Sequence, residues 1–280
     1  VPFFTSYDGL RLHYDQVGDG PPLVVLPGGP GTDVRYLRDL GGLSAGRRLI
    51  RVDARAAGRS EVPADPATVS FVEQARDVEE LRRHLGLETL DVLAHSAGSL
   101  TAQEYAAVHP YRVRRLVLVT PVGRAGREAD PAEVAALRAA RRDEPWYPQA
   151  AGADEQSPLG RARLVPFSWH RWTPERRRAE YVPGHATTLP WLRAAFYAGS
   201  ATAETLPGRL GRLAAVRCPV LVMAGASDGL IGTMPARLIH QMYPDSRLEV
   251  FAESGHRPWV EQPELFRAVI EDFLGGGGVA

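Results

Sequence analysis

Apolar positions along this chain follow two rhythms in turn. Strand-sized apolar runs, such as Leu23-Val24-Val25-Leu26 and Pro219-Val220-Leu221-Val222-Met223-Ala224-Gly225, read as buried strands, and the pattern places strands at 22–26, 48–53, 90–95, 113–120, 219–225 and 247–252. Between them, apolar residues recur at helical spacing near 33–41, 70–86, 97–109, 233–243 and 263–274. Alternation of this kind predicts an α/β fold: a mostly parallel, twisted sheet with helices on both faces. Phe3 to Val17 alternates around the turn signal Asp8-Gly9 and predicts an antiparallel hairpin at the sheet edge.

The rhythm stops from about Val122 to Leu206. Three helical stretches are expected inside this segment, at Pro131 to Arg142, Thr173 to Tyr181 and Leu189 to Tyr197; the first two carry a proline near their start. The expected organisation is a core domain over 1–121, an inserted helical cap or lid over 122–206, the second part of the core over 207–274 and a flexible tail over 275–280. The insertion holds four of the five tryptophans, Trp146, Trp169, Trp172 and Trp191. Singly, each is expected to hold the small cap together. Collectively they imply a pocket for an apolar or cyclic group.

Candidate chemistry lies where strands end. In Leu93-Ala94-His95-Ser96-Ala97-Gly98 a serine sits where a strand hands over to a helix, and the small residues Ala94 and Gly98 permit the sharp turn that exposes a nucleophile. A serine that merely caps the helix is the competing reading. Asp228 follows the strand 219–225, and His256, beside Gly255, follows the strand 247–252. These two are the candidate orienting acid and base, at the edge where open α/β sheets gather reactive groups. Asp245, in the turn Tyr243-Pro244-Asp245-Ser246 that leads into a strand, belongs at the opposite edge. The loop Pro27-Gly28-Gly29-Pro30-Gly31 allows backbone amides to approach a reacting carbonyl, and the expected oxyanion donors are Gly29 and Ala97. His95, the four cap tryptophans and Glu204 are candidate substrate-binding positions.

Composition narrows the chemistry. None of the 33 basic residues is a lysine, which removes Schiff-base catalysis and the lysine of a phosphate-binding loop. The eight histidines are scattered and the lone Cys218 precedes a buried strand, so neither a metal nor another cofactor is expected. The 33 basic residues are balanced by 33 acidic ones, and apolar runs are strand-sized. The expected partner is therefore a small-molecule substrate, with no nucleic acid and no membrane, in the cytoplasm.

The motifs resemble those of α/β-hydrolases, and within that fold the proline iminopeptidase family. Pro27-Gly28-Gly29-Pro30-Gly31 resembles the family's HGGPG loop, and Val52-Asp53-Ala54-Arg55-Ala56-Ala57-Gly58-Arg59-Ser60 its DxRGxGxS segment. The resemblance implies that Ser96, Asp228 and His256 form the catalytic triad, with Asp53 and Arg55 as loop scaffolding. The family binds a substrate's free amine through cap carboxylates, one of them in a Glu-Asn-His-Tyr-Phe stretch. The corresponding Leu192-Arg193-Ala194-Ala195-Phe196-Tyr197 has no carboxylate, and Glu175, Glu180 and Glu204 lie elsewhere. The expected activity is serine hydrolysis of an ester, lactone or amide of a small, largely apolar substrate. N-terminal prolyl cleavage, C–C bond hydrolysis or cyclisation, and ligand binding without catalysis remain open.

Overall fold

The computed structural model describes residues 2–155, 157–180, 186–187 and 189–275. Eight strands form one sheet: β1 (Phe3–Thr5), β2 (Arg11–Val17), β3 (Pro22–Leu26), β4 (Arg48–Val52), β5 (Leu90–His95), β6 (Val113–Val119), β7 (Val220–Gly225) and β8 (Ser246–Phe251). Their spatial order is β1-β2-β4-β3-β5-β6-β7-β8. The hairpin strands β1 and β2 join antiparallel, and every pair from β4 to β8 is parallel.

Residue alternation sorts the sheet's side chains into two apolar layers. Val24, Val92, Leu118 and Val222 face one way, onto Val78 and Leu81 of α1 (Phe71–His84) and Tyr105 of α2 (Gly98–Val108). Val25, Leu93, Val117 and Leu221 face the other way. Both central layers are buried, which is why these strands read as apolar runs.

Between β6 and β7 lie α3 (Pro131–Ala139), α4 (Tyr147–Ala151), α5 (Pro158–Leu164), α6 (Pro174–Glu180), α7 (Leu192–Tyr197) and α8 (Leu206–Ala214). Asp130 caps α3 by accepting from the Ala132 amide, and Ser157 caps α5 by accepting from the Gly160 amide. The sequence pattern does not anticipate α4 and α5, which are too short for an apolar period to register. The expected helix at 173–181 is observed to Glu180, and residue 181 lies outside the described residues, as do 276–280 of the expected tail. After β7 come α9 (Met234–Met242), α10 (Pro258–Glu261) and α11 (Pro263–Gly275). Phe266, Val269 and Ile270 of α11 cover the second face of the sheet.

One expected core helix is absent. Residues 33–41 form only a 3-10 turn at Val34–Leu37, because Arg38 and Leu40 take left-handed φ values of 51° and 52° before Gly41 and Gly42. Leu37 and Leu40 are nevertheless fully buried, so the apolar spacing is real while the backbone is not helical. No described helix is long and apolar enough to cross a membrane.

Arg55 fastens the hairpin to the core. Its guanidinium is fully buried and bonds Asp77 of α1 at 2.7 Å twice, Asp8 and the Ser6 hydroxyl. Removing one partner strands a buried charge. Asp77→Ala is therefore expected to lower the unfolding free energy by about 3 kcal/mol. Urea denaturation checks this, and a loss under about 1 kcal/mol would show that the guanidinium finds other partners.

Candidate active site

Ser96 follows β5 directly, and its φ of 51° places a non-glycine residue in the left-handed region. The strain is held from both sides. The Ser96 amide donates to the Val119 carbonyl of β6 at 2.9 Å, and the Ser96 carbonyl accepts from the Ser99 amide at 3.0 Å as α2 begins. Close packing requires glycine at two neighbouring positions. A Cβ on Gly98 would collide with the Pro27 carbonyl, and one on Gly28 would lie 2.9 Å from the Ser96 Cβ and 2.8 Å from His95 Nδ1. Among the described residues, Ser96 accordingly presents its side chain on a turn that neither β5 nor α2 can relax.

His256 and Asp228 meet at the same edge of the sheet. His256 Nδ1 lies 2.6 Å from Asp228 Oδ2, and Asp228 has no exposed surface. The other carboxylate oxygen accepts from the amides of Leu230 at 2.9 Å and Ile231 at 3.4 Å, which fixes the acid's orientation. The His256 amide donates to the Ser168 carbonyl at 2.6 Å. Ser96 and His256 line one cavity of about 860 Å³, with Gly28 and Gly29 in its wall. No hydrogen bond joins Ser96 to His256 among the described residues.

His95 ties these loops together. Its Nε2 lies 3.0 Å from the His256 carbonyl, which only accepts, so Nε2 carries the proton. Burial first, then the charges of His256 and Arg257, hold the imidazole pKa well below its ordinary value, so the ring is neutral. Nδ1 therefore accepts from the Tyr36 hydroxyl at 2.7 Å, and that oxygen accepts from the Gly28 amide at 2.6 Å. Gly28 is thus engaged, whereas the amides of Gly29 and Ala97 donate to no hydrogen bond among the described residues.

A family model for the alpha/beta hydrolase fold matches residues 21–263. The chain belongs to the α/β-hydrolase family. The hydrolase is 25% identical to a proline iminopeptidase from Heyndrickxia coagulans, over 97% of each chain. It is 28% identical to the human (lyso)-N-acylphosphatidylethanolamine lipase, over 92% of this chain and 80% of the relative. Among solved structures, the esterase RhEst1 from Rhodococcus sp. ECU1013 matches with a TM-score of 0.75 at 24% identity, covering 99% of each chain.

The hydrolase uses its tryptophans differently from the expected pocket lining. Trp146 packs edge-on to Phe167 at 5.0 Å, Trp169 and Trp172 lie against each other at 6.1 Å, and Trp191 packs with the Phe71 and Phe196 cluster. None of the four lines the cavity that holds Ser96, and Glu204 is exposed and bonded to Thr202. His95 does line it. Asp53 and Arg55 take up loop contacts: Asp53 holds His13 at 2.7 Å and the Val34 amide at 2.9 Å. Asp245 sits at the opposite sheet edge, where its carbonyl accepts from the Val220 amide. Cys218 is buried, which pushes its thiol up to about 12, and no metal-binding cluster occurs among the described residues. The cavity wall instead carries Arg127, Arg138, Arg161, Arg193 and Arg257, with Glu155 as the sole described carboxylate. These residues come from separate elements and share no spacing in the sequence, and Tyr36 likewise carries no motif.

The neutral His95 gives a pH signature. The unfolded chain binds a proton at this imidazole below its ordinary pKa of about 6.5, whereas the folded hydrolase does not. Its contribution is therefore complete above that pH and declines as pH falls. In urea unfolding between pH 7.5 and 5, His95→Gln is expected to reduce the acid slope by up to about 1.4 kcal/mol per pH unit. Identical slopes in the two proteins would contradict the neutral assignment.

Proposed function

We propose that the protein is a serine hydrolase that cleaves an ester or lactone of a small molecule through a covalent acyl-enzyme, with Ser96 as nucleophile, His256 as base and Asp228 as orienting acid. The observation that carries this reading is the 2.6 Å Asp228 to His256 contact beside a serine held at φ 51° in the same cavity. Asp228 accepts a hydrogen bond from the His256 Nδ1–H, so the Nδ1 proton stays on the ring and Nε2 is left unprotonated and able to accept one. His256 takes the Ser96 hydroxyl proton as Oγ adds to the carbonyl carbon. The amides of Gly29 and Ala97 hold the oxyanion. His256 then protonates the leaving oxygen, and a water activated by the same imidazole releases the acid and restores Ser96.

Residues 122–206 serve as the cap in this reading, since α3, α4, α5 and α7 all contribute to the wall of the cavity above Ser96. The relatives named for proline iminopeptidase activity keep prolyl cleavage as the second reading. A buried substrate ammonium requires a carboxylate to offset its desolvation. Here the described carboxylate of the wall, Glu155, already bonds Arg138 at 2.7 Å, and the remaining charges are cationic. That balance favours esters and lactones over a free-amine peptide.

Ser96→Ala is expected to reduce kcat/KM for p-nitrophenyl esters by a factor on the order of 10³ or more, with little change in thermal stability. Asp228→Asn is expected to lose most activity through the wrong imidazole tautomer, whereas Asp245→Asn stays within about twofold of the parent. Steady-state kinetics on the three variants check the assignment. Wild-type turnover by Ser96→Ala, or equal losses in the two aspartate variants, would contradict it.

A further inference from the structure

The Ser96 cavity is cationic along its cap side, and two of its arginines form no ion pair with a carboxylate among the described residues. Arg193 of α7 makes no ion pair among the described residues; its guanidinium carbon sits 5.1 Å from the centre of the Tyr197 ring. Arg127 donates to the Leu230 carbonyl at 2.9 Å and likewise makes no ion pair among the described residues. Other arginines of this protein are paired with carboxylates. Arg124, only three positions away, bonds Glu128, and Arg209 and Arg212 share Glu104. Arg127 and Arg193, with Tyr197, also line an adjoining cavity of about 430 Å³, so the pair stands between two water-accessible spaces.

Placing like charges together in a partly buried wall costs free energy unless an anion joins them. Burial lowers the basicity of Arg193, and the positive charges of Arg127 and Arg161 push it in the same direction, against the opposing pull of Tyr197 and Glu155. The phenol of Tyr197 feels the same field, since both Arg193 and Arg127 oppose the rise that burial imposes on it. A guanidinium fork is the side chain that best matches a carboxylate or phosphate in two-point contact.

We propose that Arg127 and Arg193 form an anion subsite of the catalytic cavity, so that the substrate is an ester or lactone bearing a carboxylate, or a like oxyanion, remote from the scissile carbonyl. This assignment rests on the serine-hydrolase reading for its reaction and adds the substrate's charge. The anion docks against the cap while its ester carbonyl faces Ser96 and the amides of Gly29 and Ala97. A single cavity holds both ends. The field of the wall also draws anions in and raises the encounter rate at low salt.

Mono-p-nitrophenyl glutarate and its methyl ester are a matched pair that differ in one negative charge. The wild type is expected to favour the charged ester by about tenfold or more in kcat/KM at low ionic strength, chiefly through KM, with the preference shrinking in 0.5 M salt. In Arg127→Gln/Arg193→Gln the ratio should fall to near one. Arg178→Gln, a change at an exposed arginine paired with Glu175, should keep the parental ratio. Because Arg127 is exposed, its single variant provides the folded comparison if the double variant is unstable, and it should lose part of the preference. Calorimetric binding of glutarate to Ser96→Ala reads the subsite without turnover and should weaken at least tenfold when both arginines are replaced. A wild type that prefers the neutral ester, or a preference that survives the double substitution, would overturn the subsite. Ester turnover that survives Ser96→Ala would instead overturn the serine mechanism and leave glutarate binding to judge the subsite alone.

Discussion

A serine held at φ 51° between a buried strand and a helix is the constraint on which the site depends. A non-glycine residue in the left-handed region costs roughly 1–3 kcal/mol, and such strain persists only where packing overdetermines it. Here the sheet supplies the restraint. β5 lies at the centre between β3 and β6, its residues are buried throughout, and the Ser96 amide is captured by the Val119 carbonyl of the neighbouring strand. Gly98 brings the start of α2 so close to the end of β3 that no side chain fits between Gly98 and the Pro27 carbonyl. The turn is therefore the contact at which sheet, helix and glycine loop close on one another.

A chain of hydrogen bonds extends that closure to the histidine loop. From the Gly28 amide it runs through the Tyr36 hydroxyl and the His95 ring to the His256 carbonyl, which also accepts from Thr120 at 3.0 Å. Each link has its donor fixed by the neutral His95. The loop expected to face the oxyanion and the loop carrying His256 are positioned by one buried residue beside Ser96. This gives His95 a structural part that its adjacency to the serine does not reveal.

What the sequence made legible followed from periodicity and from strand ends. The six parallel strands were expected within about one residue of their observed limits; the central ones are apolar along their length because both faces are buried, whereas the edge strand β8 is only partly buried. Asp228 and His256 were legible as residues just past such strands, and the structure brings their side chains into contact. Residues 33–41 misled because Leu37 and Leu40 have helical spacing, while the left-handed backbone at Arg38 and Leu40 leaves no trace in hydrophobicity. The segment between β6 and β7 was the least legible part. Its tryptophans fill small clusters among short helices, where the buried indole nitrogens of Trp146 and Trp169 find no hydrogen-bond partner among the described residues. The charge of the cavity wall was invisible because Arg127, Arg161 and Arg193 lie on different segments and converge only in the fold.

The central claim is that Ser96 is the reactive nucleophile of an assembled triad, and covalent labelling tests it most directly. Treating the purified protein with a fluorophosphonate and mapping the adduct by peptide mass spectrometry is expected to give a single modified residue, Ser96, with labelling slowed by orders of magnitude in Asp228→Asn. An adduct on a different serine, or esterase turnover from a protein whose Ser96 remains unmodified, would contradict the account.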